Sequence, residues 1–337
     1  MRAVAYKTPQ PIAAETSLLD IELPTPEAGG RDLLVEIKAV SVNPVDVKVR
    51  ANAAPEVGQA RVLGFDASGI VKAVGPDASL FRVGDEVFYS GVINRQGSNA
   101  EFQLVDERIV GKKPDSLDFA AAAALPLTSV TAYEMLFDRL KVQDAVSGAA
   151  NAIVIIGGAG GVGSIAIQIA RALTDLTIIA TASRPETQAW VKEHGAHHVV
   201  DHSRPIAPQI AALGIGAPGF IFSTTNTDHH IADIVEAIAP QGRFGLIDDP
   251  KVMDVMPFKR KAVSTHWELM FTRPLFGTPD MIEQHNILNK ISEMVDAGKI
   301  QTTLTETVGT INAANLRKAH ALVETGKMKG KVVLAGF

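Results

Sequence analysis

Residues 151–173 read NAIVIIGGAGGVGSIAIQIARAL. Ala152–Ile156 is a short apolar run rich in β-branched residues, which suits a buried parallel strand. Gly158, Ala159, Gly160, Gly161, Val162 and Gly163 then fit the pattern G-x-G-x-x-G. Beyond them Ile165, Ile169, Ala172 and Leu173 recur at helical spacing. Strand, glycine turn and helix stand in the order a dinucleotide-binding fold requires. One glycine permits the tight turn, one lets the backbone approach a pyrophosphate, and one lets the helix pack close to the strand. The phosphates then rest on the unpaired N–H groups and positive end of the helix. Glycine-rich loops are common, so an ordinary strand-to-helix turn is the alternative, but the strand before and the helix after both agree with the nucleotide reading.

The remaining pattern divides around this stretch. Residues 1–125 read as β-rich, with strands expected at Met1–Tyr6, Leu33–Val42, Gly69–Val74 and Glu86–Tyr89, punctuated by Gly, Pro and Asp. Many short strands separated by turns suggest a barrel-like domain. Phe119–Leu125 is alanine-rich and helical, and Ser129–Arg139 reads as a second helix beyond Pro126. From Ala152 strands alternate with helices: 152–156, 162–173, 176–181, 185–194, 199–200, 219–222, 229–239 and 243–247. That alternation predicts a parallel, doubly wound sheet and an α/β fold class. Further helices are expected at Met281–Ala297 and Ala313–Glu324, and a closing strand at Lys331–Leu334. The expected divisions are 1–125, 126–265 and 266–337, with the last segment returning to the first domain.

Composition excludes several classes. The 337 residues are 46% hydrophobic and 20% charged, with a net charge of −5 and no polybasic run. Nucleic acid and anionic membrane are therefore not expected partners. No signal peptide is visible, and the most apolar stretch, Phe119–Leu127, reads as too short to span a bilayer. There is no cysteine, so disulfides and thiolate metal sites are ruled out, which fits a cytoplasmic protein.

The second strand of the α/β region identifies the expected nucleotide. An NAD site closes that strand with an acidic residue on the ribose. Here it ends Ala180-Thr181-Ala182-Ser183-Arg184. A hydroxyl and a guanidinium replace the acid, which suits the extra phosphate of NADPH. The alternative is that Ser183 caps the following helix. The carboxyl ends of two later strands, Ser223-Thr224 and Ile247-Asp248, lie where doubly wound sheets bind ligands. They are expected to offer backbone contacts to the nicotinamide half, or else to be turn residues.

Further segments resemble a known family: Ser41-Val42-Asn43-Pro44-Val45-Asp46, Leu63–Gly69, Val83–Val87, Ala122–Ala132, the glycine motif, and Gly330–Leu334. Together they resemble the medium-chain dehydrogenase/reductase superfamily, in its zinc-free quinone and enone oxidoreductase branch. The resemblance covers essentially the whole chain. It implies a GroES-like β-barrel-type catalytic domain built from the first segment and the C-terminal tail, a Rossmann domain between them, an active site in the cleft, and a homodimer. Zinc members carry Gly-His-Glu where this chain has Gly64-Phe65-Asp66. The histidine ligand is thus replaced and the cysteine ligands cannot exist. The His194, His197, His198 and His202 group is read as a helix end and short strand rather than a metal site.

The resemblance also implies roles for single residues. The segment after Asn43 faces the nicotinamide, which makes Asn43 and Lys48 catalytic candidates. Their plain alternatives are a turn former and an exposed strand or turn lysine. Thr128 joins them, and Thr131 and Lys331 are expected near the cofactor. His202 matches a tyrosine that holds the adenosine phosphate in related quinone reductases. Asp46 is expected to cap a local turn. His229 and His230 open a helix after Asp228. Phe65, Trp267 and Phe271 are candidate walls for a flat, apolar substrate, with Trp267 and Phe271 equally suited to an interface. The expected reaction is hydride transfer from NADPH to a quinone or α,β-unsaturated carbonyl, both small-molecule substrates. Two competing functions are an alcohol dehydrogenase acting on simple alcohols and a non-catalytic NADPH-binding protein.

Overall fold

The computed structural model describes residues 1–337. It divides into two compact units, 1–130 with 271–337, and 131–270.

In the first unit the chain runs through β1 (Arg2–Tyr6), β2 (Leu19–Glu22) and β3 (Asp32–Val42), then helix α1 (Pro44–Asn52). β4 (Arg61–Val62), β5 (Asp66–Val74), β6 (Glu86–Ser90), β7 (Phe102–Asp106) and β8 (Val110–Lys112) follow. β3 alternates as read: Leu33, Val35 and Ile37 are buried while the residues between them are partly exposed. Two short helices, α2 (Phe119–Ala123) and α3 (Pro126–Tyr133), close this segment. Asp118 caps α2 by accepting the Ala121 N–H at 2.7 Å. The alanines of α2 let it lie close to the sheet, where Ala123 and Ala124 pack with Ala39 and Val333.

α3 continues into a π-helix, Glu134–Arg139. Phe119–Leu127 alone is too short to span a bilayer, as read, but the segment 119–139 taken together is long and apolar enough to cross one by length and composition. As read, the first helix stops before Pro126: α2 ends at Ala123 and Pro126 takes the first position of α3, where its missing N–H costs nothing. The segment is largely buried in protein, as a core helix is.

The second unit contains β9 (Ala150–Ile156), α4 (Gly161–Leu173), β10 (Thr177–Thr181), α5 (Pro185–Glu193), β11 (His198–Val200), α6 (Ile206–Ala212), β12 (Pro218–Ser223), α7 (Thr227–Ala237), β13 (Arg243–Leu246) and β14 (Ser264–Trp267). All six strands are parallel, in the order β11-β10-β9-β12-β13-β14. This is the doubly wound Rossmann order, and strand succession reverses between β9 and β12. α6 and β14 were missed in the sequence. β14 is short, and its Ser, Thr and His carry no apolar alternation. The core gathers Val154, Ile179, Ile221 and Phe244, with Phe244 stacked on Phe258 at 5.3 Å between centroids.

The chain then returns to the first unit through α8 (Thr272–Phe276), α9 (Glu283–Asp296), β15 (Leu304–Gly309), α10 (Ala313–Glu324) and β16 (Lys331–Ala335). β16 pairs antiparallel with β3, so the C-terminal tail completes the sheet β15-β16-β3-β5-β6-β8, with β7 also on β3. A smaller sheet has the order β2-β1-β4.

Candidate functional site

In the second unit the glycine motif lies at the carboxyl end of β9 and opens α4. Its three glycines do different work. At Gly158 a side chain would meet the Ala180 Cβ at 2.9 Å, so the turn hugs β10. At Gly163 a Cβ would collide with the Gly157 carbonyl oxygen, so helix and strand end approach as only glycine allows. At Gly160, the N-cap of α4, a Cβ would meet nothing nearer than 3.5 Å. The open face above Gly160 and the first N–H groups of α4, from Gly161, Val162 and Gly163, form the cradle a pyrophosphate needs. Ala159 lies buried in the same turn. The residues present therefore fit a dinucleotide.

At the end of β10, Thr181 is fully buried. Its Oγ1 accepts the Gly157 N–H at 3.0 Å and lies 2.9 Å from His202 Nδ1. Thr181 thus ties the glycine turn to His202, a role the sequence reading did not assign. Arg184, not Ser183, takes the N-cap place of α5, where its N–H donates to Thr187 Oγ1 at 3.2 Å. This corrects the capping alternative for Ser183, which is half-buried just before the helix. Pro185 occupies the first helical position, which sets the cap one residue later. Arg184 has a partner within the protein, the Glu186 carboxylate at 2.7 Å. Burial and the nearby Arg184 cation hold the His202 imidazole below its ordinary pKa, against the pull of Asp201.

At the switch point between β9 and β12, Thr224 Oγ1 donates to the Ile156 carbonyl at 2.8 Å. The Ser223 and Thr227 hydroxyls are 2.7 Å apart. The Asp248 carboxylate accepts the Thr227 N–H at 2.9 Å and also its hydroxyl. Asp248 therefore caps α7 through its side chain. The N-cap residue itself, Asn226, is left-handed at φ 50° and makes no side-chain cap. Ile247 donates its N–H to the Ser223 carbonyl at 3.3 Å.

The first unit holds a buried polar network. Asp66 accepts the Leu127 N–H at 2.7 Å, the Asn43 side-chain amide at 2.7 Å and the Lys331 ammonium at 3.0 Å. Lys331 also donates to the Asn43 Oδ1 and to the Val42 carbonyl, the latter at 3.2 Å. Asp46 accepts the N–H groups of Asn43 at 2.8 Å and Gly64 at 3.0 Å, and so caps α1 as expected. Burial pushes the Asp46 carboxyl up to about 7. The Asp66 charge adds to that rise, while the Asn43 and Gly64 N–H groups and Lys331 oppose it.

This network corrects two expectations. All three ammonium donors of Lys331 are spent inside the protein, so none remains for a cofactor phosphate. Asn43 has both ends of its amide engaged at 1% exposure, so it positions the β3–α1 corner rather than facing a reactant. Asp66 was noted in the sequence only as a departure from the zinc pattern, and its role as the hub was not foreseen. Thr128 is buried and donates to the Leu125 carbonyl at 3.0 Å. Lys48 is exposed on α1, a helix where strand or turn had been the alternative. Thr131 is buried in the second unit.

The three aromatic candidates do not share one environment. Phe65 and Phe271 are buried in the first unit, in edge contact at 5.2 Å between centroids. Trp267 is 54% exposed on β14, the edge strand of the second unit. The residues present do not fit a zinc centre. No cysteine exists, Phe65 fills the histidine position, and Asp66 is committed to three donors. No group of three or more His, Asp or Glu residues is gathered for a metal. His194 Nδ1 instead lies 2.8 Å from the Trp190 carbonyl, and His197 Nδ1 accepts the Ile178 N–H at 2.9 Å.

Comparison with known proteins agrees with these features. Residues 29–115 match the alcohol dehydrogenase GroES-like domain, and residues 194–334 match the zinc-binding dehydrogenase model. A zinc-type alcohol dehydrogenase-like protein of Staphylococcus aureus (strain MSSA476) is 44% identical over 314 residues, 92% of each chain. The quinone oxidoreductase of Homo sapiens is 36% identical over 184 residues, 54% of this chain and 53% of that one. A structure from Rhizobium etli CFN 42, provisionally described as a zinc-dependent alcohol dehydrogenase, has 66% identity and a TM-score of 0.99, covering 100% of this chain and 98% of that one. With its GroES-like unit and its Rossmann sheet, the chain belongs to the medium-chain dehydrogenase/reductase superfamily of nicotinamide-dependent oxidoreductases.

Proposed function

We propose that this chain is an NADPH-dependent, zinc-independent oxidoreductase that reduces a quinone or an α,β-unsaturated carbonyl. The observation that carries the cofactor choice is the end of β10. Where an NAD site needs a carboxylate, Ser183 and Arg184 follow β10, the Arg184 cation acts on His202, and Arg184 already holds a carboxylate through Glu186. A ribose 2′-phosphate offers that guanidinium a stronger, doubly charged partner. The dihydronicotinamide supplies a hydride. The chain's own residues hold the pyrophosphate on the α4 N-terminus and the ribose phosphate on Ser183 and Arg184.

The substrate class follows from the donor set. Without a Lewis acid to polarise a simple carbonyl, the substrate must accept hydride at carbon and spread the charge to an oxygen. The exposed Lys48 ammonium is assigned to meet that oxyanion, and water protonates the product. We further assign a homodimer. β14 leaves one edge of its sheet unpaired, and Trp267 and Leu269 are 54% and 52% exposed there.

An NADPH- and NADH-oxidation screen over quinones, enones, aldehydes and alcohols tests the reading, with light scattering on the same sample. Turnover is expected with quinones or enones. Arg184→Ala should raise KM for NADPH by roughly tenfold or more, the worth of charge-assisted hydrogen bonds, with little change for NADH. Lys48→Ala should lower kcat on an enone with NADPH affinity retained. Equal loss of both cofactors in the Arg184 variant, or turnover of simple alcohols alone, would overturn the proposal.

A further inference from the structure

The end of β10 brings together groups that are far apart in sequence. His202 follows β11 and His230 lies in the first turn of α7, yet their rings are 6.3 Å apart between centroids, inclined at 53°. Both rings are half-buried. Arg184 faces His202 from the turn after β10. The acids around the pair are Asp201, Asp228 and Asp233, and each is already engaged. Asp201 accepts the Ser203 N–H at 2.9 Å and its hydroxyl at 2.7 Å, with Arg204 at 3.4 Å. Asp228 accepts the His229 N–H at 3.1 Å, and Asp233 accepts the Ala207 N–H at 3.2 Å. His229, exposed on the same turn, adds a third imidazole near His230.

We infer that His202 and His230 form a proton-accepting pair that charges when a ribose 2′-phosphate binds beside Arg184, so that preference for the phosphorylated dinucleotide strengthens as pH falls. The inference rests on the cofactor reading above.

The Thr181 contact allows the change. With His202 neutral, the Thr181 hydroxyl donates to Nδ1 and Nε2 carries the proton. With His202 charged, Nδ1–H donates to the Thr181 oxygen, which can accept both this and the Gly157 N–H. The hydrogen bond at 2.9 Å survives with its direction reversed, so the ring gains a proton without moving. In the free protein, burial disfavours the charged form of both rings, and Arg184 opposes charge on His202 while His202 opposes it on His230. A phosphate brings about 1.5 to 2 negative charges at neutral pH and reverses that local field. By linkage, a proton taken up on binding means tighter binding at lower pH. Glu186, the present partner of Arg184, is 2.7 Å from its Nε, and the arriving phosphate competes with it.

The test measures affinity for NADP⁺ and NAD⁺ between about pH 8.5 and about pH 6.5, where a phosphate with its second pKa near 6 remains largely dianionic. The wild-type preference for NADP⁺ should rise at least about twofold across that range, since the full tenfold worth of one pKa unit gained on binding is reached only below both pKa values. Calorimetry in two buffers of different ionisation enthalpy should show proton uptake with NADP⁺ and none with NAD⁺. His202→Gln should abolish the uptake and the slope, and His230→Gln should reduce both, with circular dichroism confirming that each variant is folded. A preference for NADP⁺ that is flat with pH, without proton uptake by the wild type, overturns this inference and leaves the cofactor reading standing. NAD⁺ bound as tightly as NADP⁺ at every pH overturns both. The wild-type calorimetry decides the matter even if a variant fails to fold.

Discussion

The glycine turn of the second unit and the polar network of the first are both built around backbone N–H groups, but they use them oppositely. Around Gly160 the first N–H groups of α4 carry no side-chain cap, the geometry a phosphate site requires. Around Asp66 and Asp46 the N–H groups of Leu127, Asn43 and Gly64 are already consumed by the protein's own carboxylates. The first arrangement is a backbone turn drawn tight by glycines. The second is a closed circuit in which β3, α1, β5, α3 and β16 are bolted together. Open donors bind and closed donors brace, and catalytic residues should not be sought among the latter.

The largest effect should come from breaking the closed circuit. Lys331→Met removes the cation from a fully buried Asp66 carboxylate and should destabilise the protein by about 3–5 kcal/mol. Asp66→Asn in the same chain should restore part of that loss. Urea titration measures both, and a loss near zero for Lys331→Met would mean that the network braces nothing. A smaller effect is expected at the turn, where two glycines separate packing from binding. Gly163→Ala forces a methyl into the Gly157 carbonyl and should cost about 1–3 kcal/mol of stability. Gly160→Ala meets only the Gly157 carbonyl oxygen at 3.5 Å, an ordinary contact, and should leave the melting temperature nearly unchanged while weakening dinucleotide binding. If Gly160→Ala binds normally, the open face is not the phosphate cradle.

The same contrast explains what the sequence revealed. The turn is contiguous: strand, glycines and helix follow one another within 151–173, so hydrophobic period and glycine spacing expose it. The missing carboxylate after β10 was legible for the same reason. The network was not. Lys331 reaches Asp66 and Asn43 from the far end of the chain, and no local pattern links those residues. Read singly, Asn43 looked like a catalytic group and Lys331 like a cofactor contact, each in its own family motif. Their burial against each other is a property of the β3–β16 pairing. β14 escaped because four residues with only one apolar side chain show no alternation, and α6 because it is only seven residues long with Pro208 in its first turn. His230 escaped because it became relevant only through its approach to His202 across the top of the sheet.

The second unit nevertheless has a closed polar site of its own, and comparing it with the Asp66 network yields the smallest predicted effect. Glu134 on the π-helix and Glu268 after β14 are buried together with one cation, as Asp46 and Asp66 are with Lys331. Arg139 Nε donates to Glu268 Oε2 at 2.7 Å. The difference is that Glu268 hydrogen-bonds the Glu134 carboxyl, where the aspartates of the first unit draw on backbone N–H groups. Two carboxylates cannot bond each other without a proton, so this pair retains one. Burial first, then the Glu134 charge and hydrogen bond, push Glu268 up to about 9, against the pull of Arg139. The native state therefore keeps a proton that the unfolded chain, with an ordinary glutamate near ~4.3, releases. Stability must fall as pH rises between those two values. In Glu268→Gln the amide donates to Glu134 in place of the shared proton, and its oxygen still accepts from Arg139. Between neutral pH and about pH 8 the wild type should lose at most about 1.4 kcal/mol more than this variant, the worth of one proton over one pH unit. Urea titrations at the two pH values measure the difference. Parallel behaviour of the two proteins would show that the pair is held by something other than a shared proton, and that the second unit braces its buried acids as the first does.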